Sequence, residues 1–455
     1  MRPARTRLAG AAARVAGAAS RVAGRGATSL PGKVLLRADP RAIERLAADL
    51  RDGCAIISAT NGKTTTAAMT AAILERTGQR LVHNRSGANM AGGVAATLLT
   101  ERGDFGLFEV DEFWLPGLVD DLRPRALLLG NLFRDQLDRY GELDTIAARW
   151  ADVAASPKVG RLVLNADDPT IADLGAGRDD ALFFGVQDDS VALAELQHAS
   201  DATHCRRCGA PYAYEAHYLG HLGRYRCEGC GARRPTPAVA AHDIRLDGVR
   251  GARFVLELPG ARHEVRLPLP GLYNVYNALG AAALASALGA TAEQIVAGLE
   301  ATRAAFGRGE TVSIGERDVS IMLVKNPAGA NEILRTLALE PGEHDLLAVL
   351  NDRVADGRDV SWVWDADFEL LAGHVNRIVC SGSRASEMAL RLKYAGLPVE
   401  RIVVHEHLGR ALDAALAESR EGSVGRALYA LPTYTAMLDL RELLVARGAA
   451  ESSFG

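Results

Sequence analysis

The chain has 455 residues, 48% hydrophobic and 24% charged, with a net charge of −4, which allows two or three domains with cores of their own. That slight negative charge removes the electrostatic case for bulk nucleic-acid binding. No apolar run reaches the roughly 18 residues of a membrane span, and six cysteines in so long a chain exclude a secreted disulfide scaffold and point to a reducing, cytoplasmic compartment.

In chain order, the first 29 residues carry six arginines and no acid. Arginine interrupts "MRPARTRLAGAAARVAGAASRVAGRG" every few residues, so it lacks the apolar centre of a targeting peptide. It reads as an Ala-rich basic helix, ended by glycines and "LPG", that packs on the first domain or leans on anionic lipid head groups. "DPRAIERLAADLRDG" has helical period, with Asp39-Pro40 as its start signal. "CAIISA" is a buried strand, and "TNGKTTTAAMTAAILERTG" a glycine turn into a helix. The runs "GLFEV", "RALLLGN" and "RLVLNA" alternate with helical stretches such as "ELDTIAARWADVAA", the pattern of a parallel α/β sheet. Residues 200–235 interrupt it with cysteines. A hairpin, "FVLELPGARHEVRLPLPG", an Ala-rich helix, "YNVYNALGAAALASALG", and a helix over 291–305 follow. "FGRGE" at 306–310 reads as a hinge. A second α/β series then runs through "VSIMLVKNP", "DLLAVLN", "RIVCSG", "RIVVHE" and the closing "RALYALPTYTAMLDLRELLVARG".

Two motifs carry chemistry. In "ATNGKTTT", Thr60, Asn61, Gly62, Lys63, Thr64 and Thr65 lie between a strand and a helix, where backbone N–H groups cradle phosphate oxygens. Lys63 reaches the terminal phosphates of ATP and the Thr64 hydroxyl can ligate Mg²⁺. The strict pattern fails, because Ile57 stands where its first glycine belongs. The strand–turn–helix setting compensates, as does a lysine in a chain with only five. The second motif is Cys205-x₂-Cys208-x₁₈-Cys227-x₂-Cys230, the spacing of a zinc ribbon. Four thiolates complete a tetrahedron and leave no open position, so Zn²⁺ there is structural. Gly209 and Gly231 suit the tight turns, and His204, His217 and His221 have no coordination site left.

Several segments, in order, resemble the Mur ligase family: TNGKTTT, "LFEVDEFWL", "NLFRDQLDRYG", "LVLNADDP", "LPGLYNVYNALGAAALA" and "FGRGE". The resemblance implies Mg²⁺ on Thr64 and Glu109 and the adenine on Asn274, which read without it is a helix N-cap. The chain departs from the family at Gln136, where a metal-associated His is usual, and at Tyr273, which replaces the His before Asn274. It also has no lysine after Tyr140 to match the carbamylated one of many relatives. The ribbon, "KNPAGANEIL" and "LNDRVADGRDVSWVWDADFE" resemble the MurT branch of that family, the amidating subunits of lipid II isoglutaminyl synthases.

The fold expected is α/β. Residues 1–50 form the basic helix and lead-in. Residues 51–305 form a Mur-ligase-like P-loop ATPase domain with the four-cysteine zinc ribbon inserted at about 200–235, and residues 306–455 a C-terminal Rossmann-like domain that binds a partner. The resemblance implies ATP-dependent amidation of the D-glutamate α-carboxylate of lipid II through an acyl phosphate. Ammonia needs a nucleophilic cysteine with a base, and outside the ribbon only Cys54 and Cys380 remain, both read as structural. A separate GatD-like glutaminase subunit is therefore implied, its catalytic triad completed by Asp352 at the tip of "DLLAVLN", with Asp356 the alternative. Trp362 and Trp364 are candidate interface anchors, with packing into the core as the alternative. By the same resemblance Lys325 and Asn326 would reach ATP from across the hinge, the alternative being a plain turn. The lipid-linked substrate places the protein in the cytoplasm, at the inner face of the membrane. An amino-acid ligase of Mur or folylpolyglutamate type is the alternative. A zinc-ribbon nucleic-acid binder is disfavoured, despite four arginines in the ribbon, by the net charge and the lack of helicase motifs.

Overall fold

The computed structural model describes residues 4–22, 29–85, 87–135, 143–198, 200–303, 308–315, 317–417 and 427–449. Gln136, Tyr140 and the first two hinge residues, Phe306 and Gly307, lie outside them. The basic segment is helix α1 (Ala4–Val22), but "LPG" opens α2 (Leu30–Ala38) rather than ending α1. Pro31 suits a first helical turn, where a missing N–H costs nothing. The Asp39-Pro40 signal lies just ahead of the short α3 (Ala42–Ala47). Asp39 is buried and takes the Thr6 hydroxyl at 2.6 Å and Arg45 at 2.8 Å, which fastens α1 to this lead-in.

The strand–helix alternation then builds one sheet. β1 (Cys54–Ser58) feeds α4 (Lys63–Arg76). β2 (Leu81–His83), α5 (Ala91–Thr100), β3 (Phe105–Glu109), α6 (Leu115–Leu122), β4 (Ala126–Leu129) and α7 (Leu143–Ala154) follow. β5 (Arg161–Asn165), α8 (Pro169–Asp173) and β6 (Leu182–Val186) complete the parallel part. The cysteine segment forms a separate hairpin of β7 (Tyr212–Leu219) and β8 (Leu222–Cys227). The chain rejoins the sheet through β9 (Val239–Leu246), β10 (Ala252–Leu258) and β11 (Ala261–Leu267), the last two antiparallel. Spatial order is β11-β10-β9-β6-β5-β4-β1-β3-β2. Successive connections leave β1 and β4 toward opposite edges, and ligands bind such sheets beyond the strand C-termini at that switch point.

The Ala-rich α9 (Leu272–Ala287) is buried along almost its whole length. Small side chains let it lie directly on the sheet: a Cβ at Gly280 would already meet Leu128 at 3.3 Å and Phe184 at 3.4 Å. After α10 (Ala292–Glu300), a second sheet has order β12-β13-β17-β14-β15-β16. Its members are β12 (Arg308–Ile314), β13 (Arg317–Met322), β14 (His344–Val349), β15 (Val375–Ser381), β16 (Ile402–Val404) and β17 (Leu428–Pro432). Only the β12–β13 pair is antiparallel. Helices α11 (Pro327–Ala338), α12 (Ala385–Tyr394), α13 (Leu408–Leu416) and α14 (Tyr434–Ala446) accompany it.

The α2–α5 contact depends on two facing glycines. A Cβ on Gly32 would sit 1.7 Å from the Gly92 carbonyl oxygen, whereas one on Gly117 meets nothing within 4 Å. Gly32→Ala should therefore destabilise the chain by about 1–3 kcal/mol in a denaturant titration, and Gly117→Ala should not.

Candidate active site

The phosphate loop forms because Gly62 takes φ +85°, a conformation only glycine adopts without strain, and so turns β1 into α4. A Cβ there would also lie 2.0 Å from Asn277 Oδ1. Lys63 is buried at the first turn of α4 and donates to the Ala59 carbonyl and to Glu112 at 2.8 Å. Burial opposes its charge, but Glu112, Asp111 and Glu109 overcome that and raise its pKa. Glu112 is partly buried, which opposes its charge, yet Lys63 and Lys325 hold its carboxyl below the usual range. Glu112, which the sequence reading passed over, belongs to the same acidic strand end, "EVDEFWL", as Glu109. Glu109 closes β3, with its backbone held on both sides by the Asn84 amide at 3.0 and 2.9 Å.

Asn131, beyond β4, splints the loop: its Oδ1 accepts from the Asn61 N–H at 2.9 Å and its amide donates to the Asn61 carbonyl at 3.0 Å. The second sheet reaches the same point. Asn326 caps α11 by accepting from the Gly329 N–H at 2.9 Å, and its amide donates to Asn61 Oδ1 at 3.0 Å. Lys325 donates to the Thr60 carbonyl at 3.2 Å and pairs with Asp135. Thus Thr60, Asn61, Gly62, Lys63, Thr64, Thr65, Lys325 and Asn326 converge, although some 260 residues separate the two groups.

Asn274 does not cap α9, whose N-cap is Gly271. Its amide donates to the Pro270 carbonyl at 2.7 Å and its oxygen accepts from Asn277 at 3.0 Å. Asn277, one turn later, is the residue that lines the adjoining pocket, with Asn61, Thr66, Asn131, Asn165 and Tyr276.

The four cysteine sulfurs lie within 4.8 Å of one another, with Cys205–Cys230 at 3.6 Å and Cys208–Cys227 at 3.4 Å. A tetrahedral ion with bonds of about 2.3 Å would space its sulfurs by about 3.8 Å, so the set fits. Gly209 (φ +76°) and Gly231 (φ +73°) make the two turns. Burial works against the Cys205 thiolate, but the amides of Arg207 and Cys208, with the Tyr212 hydroxyl, bring its pKa down to about 6. Cys54 and Cys380 are fully buried, and desolvation pushes both thiols up to about 12, the setting of a structural rather than a reactive cysteine.

Loop 351–360, beyond β14, carries three aspartates. Asp356 is buried, and both its oxygens accept from Thr435, from the N–H at 2.7 Å and the hydroxyl at 2.5 Å. Asp352 is partly exposed, held by the Ser383 hydroxyl at 2.7 Å and Arg384 at 2.8 Å, which together lower its pKa. Asp359, which the sequence reading did not single out, is exposed and, among the described residues, accepts from Ser361. Beside the loop, Trp364 (49% exposed) lies tilted against Tyr394 (69% exposed), with ring centroids 5.8 Å apart, while Trp362 packs against the core.

The fold and the phosphate loop define a Mur ligase. Residues 57–226 match the Mur ligase middle domain and residues 323–437 the MurT ligase C-terminal domain. A pseudomurein peptide ligase type C from Methanothermus fervidus superposes with TM-score 0.66 at 23% identity, covering 88% of this chain and 80% of its own. The MurF ligase of Thermotoga maritima in complex with ADP gives 0.64 at 14% identity, covering 90% and 83%. The lipid II isoglutaminyl synthase (glutamine-hydrolyzing) subunit MurT of Streptococcus pneumoniae is 36% identical over 435 residues, 93% of each chain. The same subunit of Staphylococcus aureus is 31% identical over 421, 92% of each. The chain belongs to the MurT family.

Asp356 secures loop 351–360 to α14. Asp356→Ala should cost about 1–3 kcal/mol, the penalty of a stranded buried partner, whereas Asp359→Ala should stay within about 0.5 kcal/mol. Urea titration of the two variants measures the difference.

Proposed function

We propose that this chain is the ATP-dependent ligase subunit that amidates the D-glutamate α-carboxylate of lipid II to D-isoglutamine. The observation that carries the reading is similarity to MurT subunits along 93% of both chains. It is consistent with a chain holding a phosphate site but no competent cysteine nucleophile, so that ammonia has to arrive from a partner. We take that partner to be a GatD-like glutaminase.

A carboxylate resists ammonia because its carbonyl is electron-rich and its leaving group is oxide. Transfer of the ATP γ-phosphoryl to it forms an acyl phosphate, ammonia attacks the carbonyl, and phosphate leaves. Lys63, charged despite burial, would neutralise the phosphoryl oxygens, and the loop N–H groups would orient them. Mg²⁺, held by Thr64 and Glu109, would add charge stabilisation. Lys325 and Asn326 would close over the nucleotide from the second sheet. Zn²⁺ on the four cysteines would be structural. We divide the chain into a lead-in (1–50), an ATP-binding domain carrying a zinc ribbon (51–305) and a Rossmann-like, partner-binding domain (306–455).

Loop 351–360 would present the acid of the partner's triad, which must offer a carboxylate oxygen to an imidazole N–H. Asp356 is buried, with both oxygens turned to Thr435 and away from a docking partner. Asp352 is partly exposed, with one oxygen on Ser383 and the other on Arg384, and Asp359 is exposed beside Ser361; each would still have a carboxylate lone pair to offer. Trp364, Leu390 and Tyr394 supply an exposed apolar surface beside the loop that suits the partner. No helix among the described residues is long and apolar enough to cross a membrane. Lipid-linked substrate would instead be met at the inner membrane face, and α1, with no acid, offers a surface for that contact.

With lipid II, ATP and Mg²⁺, ammonium alone should support amide formation, read as a loss of about 1 Da in the peptide, and glutamine should do so only with the glutaminase subunit. Joining of another amino acid would overturn the reading. Lys63→Met should abolish both reactions. Substituting Asn at the triad position, Asp359 or Asp352, should lower the glutamine-dependent rate by about 10⁴-fold and spare the ammonium-dependent one.

A further inference from the structure

The hairpin β7–β8 stands outside both large sheets, yet the chain just after it runs into the wall of the pocket beside the phosphate loop. Four positions after Cys230, Arg234 turns inward. Its Nε donates to Asp167 Oδ1 at 2.5 Å and a terminal nitrogen donates to the Val186 carbonyl at 2.8 Å. Asp167 is fully buried. Its second oxygen accepts the Tyr276 hydroxyl at 2.6 Å and the Val186 N–H at 2.8 Å, and its own N–H donates to Asn165 Oδ1 at 3.0 Å. Tyr276 and Asn165 both line the pocket beside the phosphate loop. The hairpin grips the same aspartate from the other side, through the Gly223 N–H on the Asp167 carbonyl at 2.9 Å. The fit is close: a Cβ on Gly185 would sit 2.5 Å from Asp167 Oδ1 and 2.8 Å from an Arg234 nitrogen.

We propose that Arg234 is a positioning residue for the nucleotide, through which the cysteine hairpin sets the Asp167–Tyr276–Asn165 wall of the ATP pocket. A buried carboxylate needs a paired cation to remain ionised, and burial does press the Asp167 pKa upward against the pull of Arg234. Only the ionised form accepts from Tyr276 and Val186 together while also taking the guanidinium. Because the Arg234 N–H donates to the Tyr225 carbonyl of β8 at 3.0 Å, the folded hairpin fixes where its guanidinium lies. The hairpin thus acts on ATP binding without touching ATP. This inference rests on the reading that the pocket takes ATP.

The test is ADP and ATP binding by titration calorimetry on the full chain, with zinc content measured on the same samples. Arg234→Met should retain the wild-type zinc content and weaken nucleotide binding by at least about tenfold. In the ammonium-driven reaction KM for ATP should rise more than kcat falls. Arg234→Lys should recover part of the loss. Tyr276→Phe, which removes one hydroxyl from an otherwise intact core, should weaken binding in the same direction and covers the case in which Arg234→Met does not fold. Nucleotide affinity within twofold of wild type in Arg234→Lys and Tyr276→Phe overturns the inference, as does an equal loss of kcat with KM unmoved. A wild-type chain that binds no adenine nucleotide would instead overturn the reading of the pocket.

Discussion

A lysine that must remain charged while buried is the constraint around which this molecule is arranged. Lys63 sits at the first turn of α4, where the helix N-terminus itself repels a cation. Three carboxylates at the end of β3 and just beyond it, Glu109, Asp111 and Glu112, restore the balance. That requires β1 and β3 to be neighbours, so that one strand delivers the loop and the other the acids. The parallel pairing of Cys54–Ile57 with Gly106–Glu109 meets the requirement. Under the proposed function the same carboxylates would also attract a divalent cation, so that one arrangement would serve both the phosphate and its metal.

The second sheet completes the site. Lys325 and Asn326 precede α11 and reach the loop through Asp135, the Thr60 carbonyl and Asn61. Arg134, next in chain to Asp135, pairs with Asp201 near the cysteine hairpin and with Asp365 at 3.5 Å, beyond the aspartate loop. Phosphate loop, hairpin and candidate partner-docking loop are therefore linked within a few side chains. An enzyme that activates a carboxylate with ATP and receives ammonia elsewhere benefits from such a link, because an activated acyl group left waiting is lost to water.

What the sequence made legible was local. Gly62-Lys63-Thr64 and the two CxxC pairs declare themselves because a few consecutive residues define each geometry. The strand–helix alternation also held, since buried parallel strands are short apolar runs. The antiparallel edge β10–β11 was visible as a hairpin. Features made by distant segments were not legible. Asp356 looked available until Thr435, 79 residues on, was seen to occupy it. Asn274 and Asn277 lie on one helix turn, and which of them faces the pocket depends on how α9 is set against the phosphate loop. Arg234, Asp167 and Tyr276 carry no motif and become one group only when three segments fold together. "LPG" was misread as a stop because Pro–Gly often ends helices, whereas here Pro31 lies in a first turn and Gly32 permits the close approach to Gly92.

The central claim is that the carboxylate is activated by phosphoryl transfer at the Lys63 loop. Lipid II labelled with ¹⁸O in the D-glutamate α-carboxylate tests it directly, with ammonium as nitrogen donor and mass analysis of the phosphate released. The account predicts that one labelled oxygen appears in phosphate for each amide formed. Amide formation with unlabelled phosphate would contradict it, because the oxygen lost from the carboxylate would then have left by a route other than an acyl phosphate.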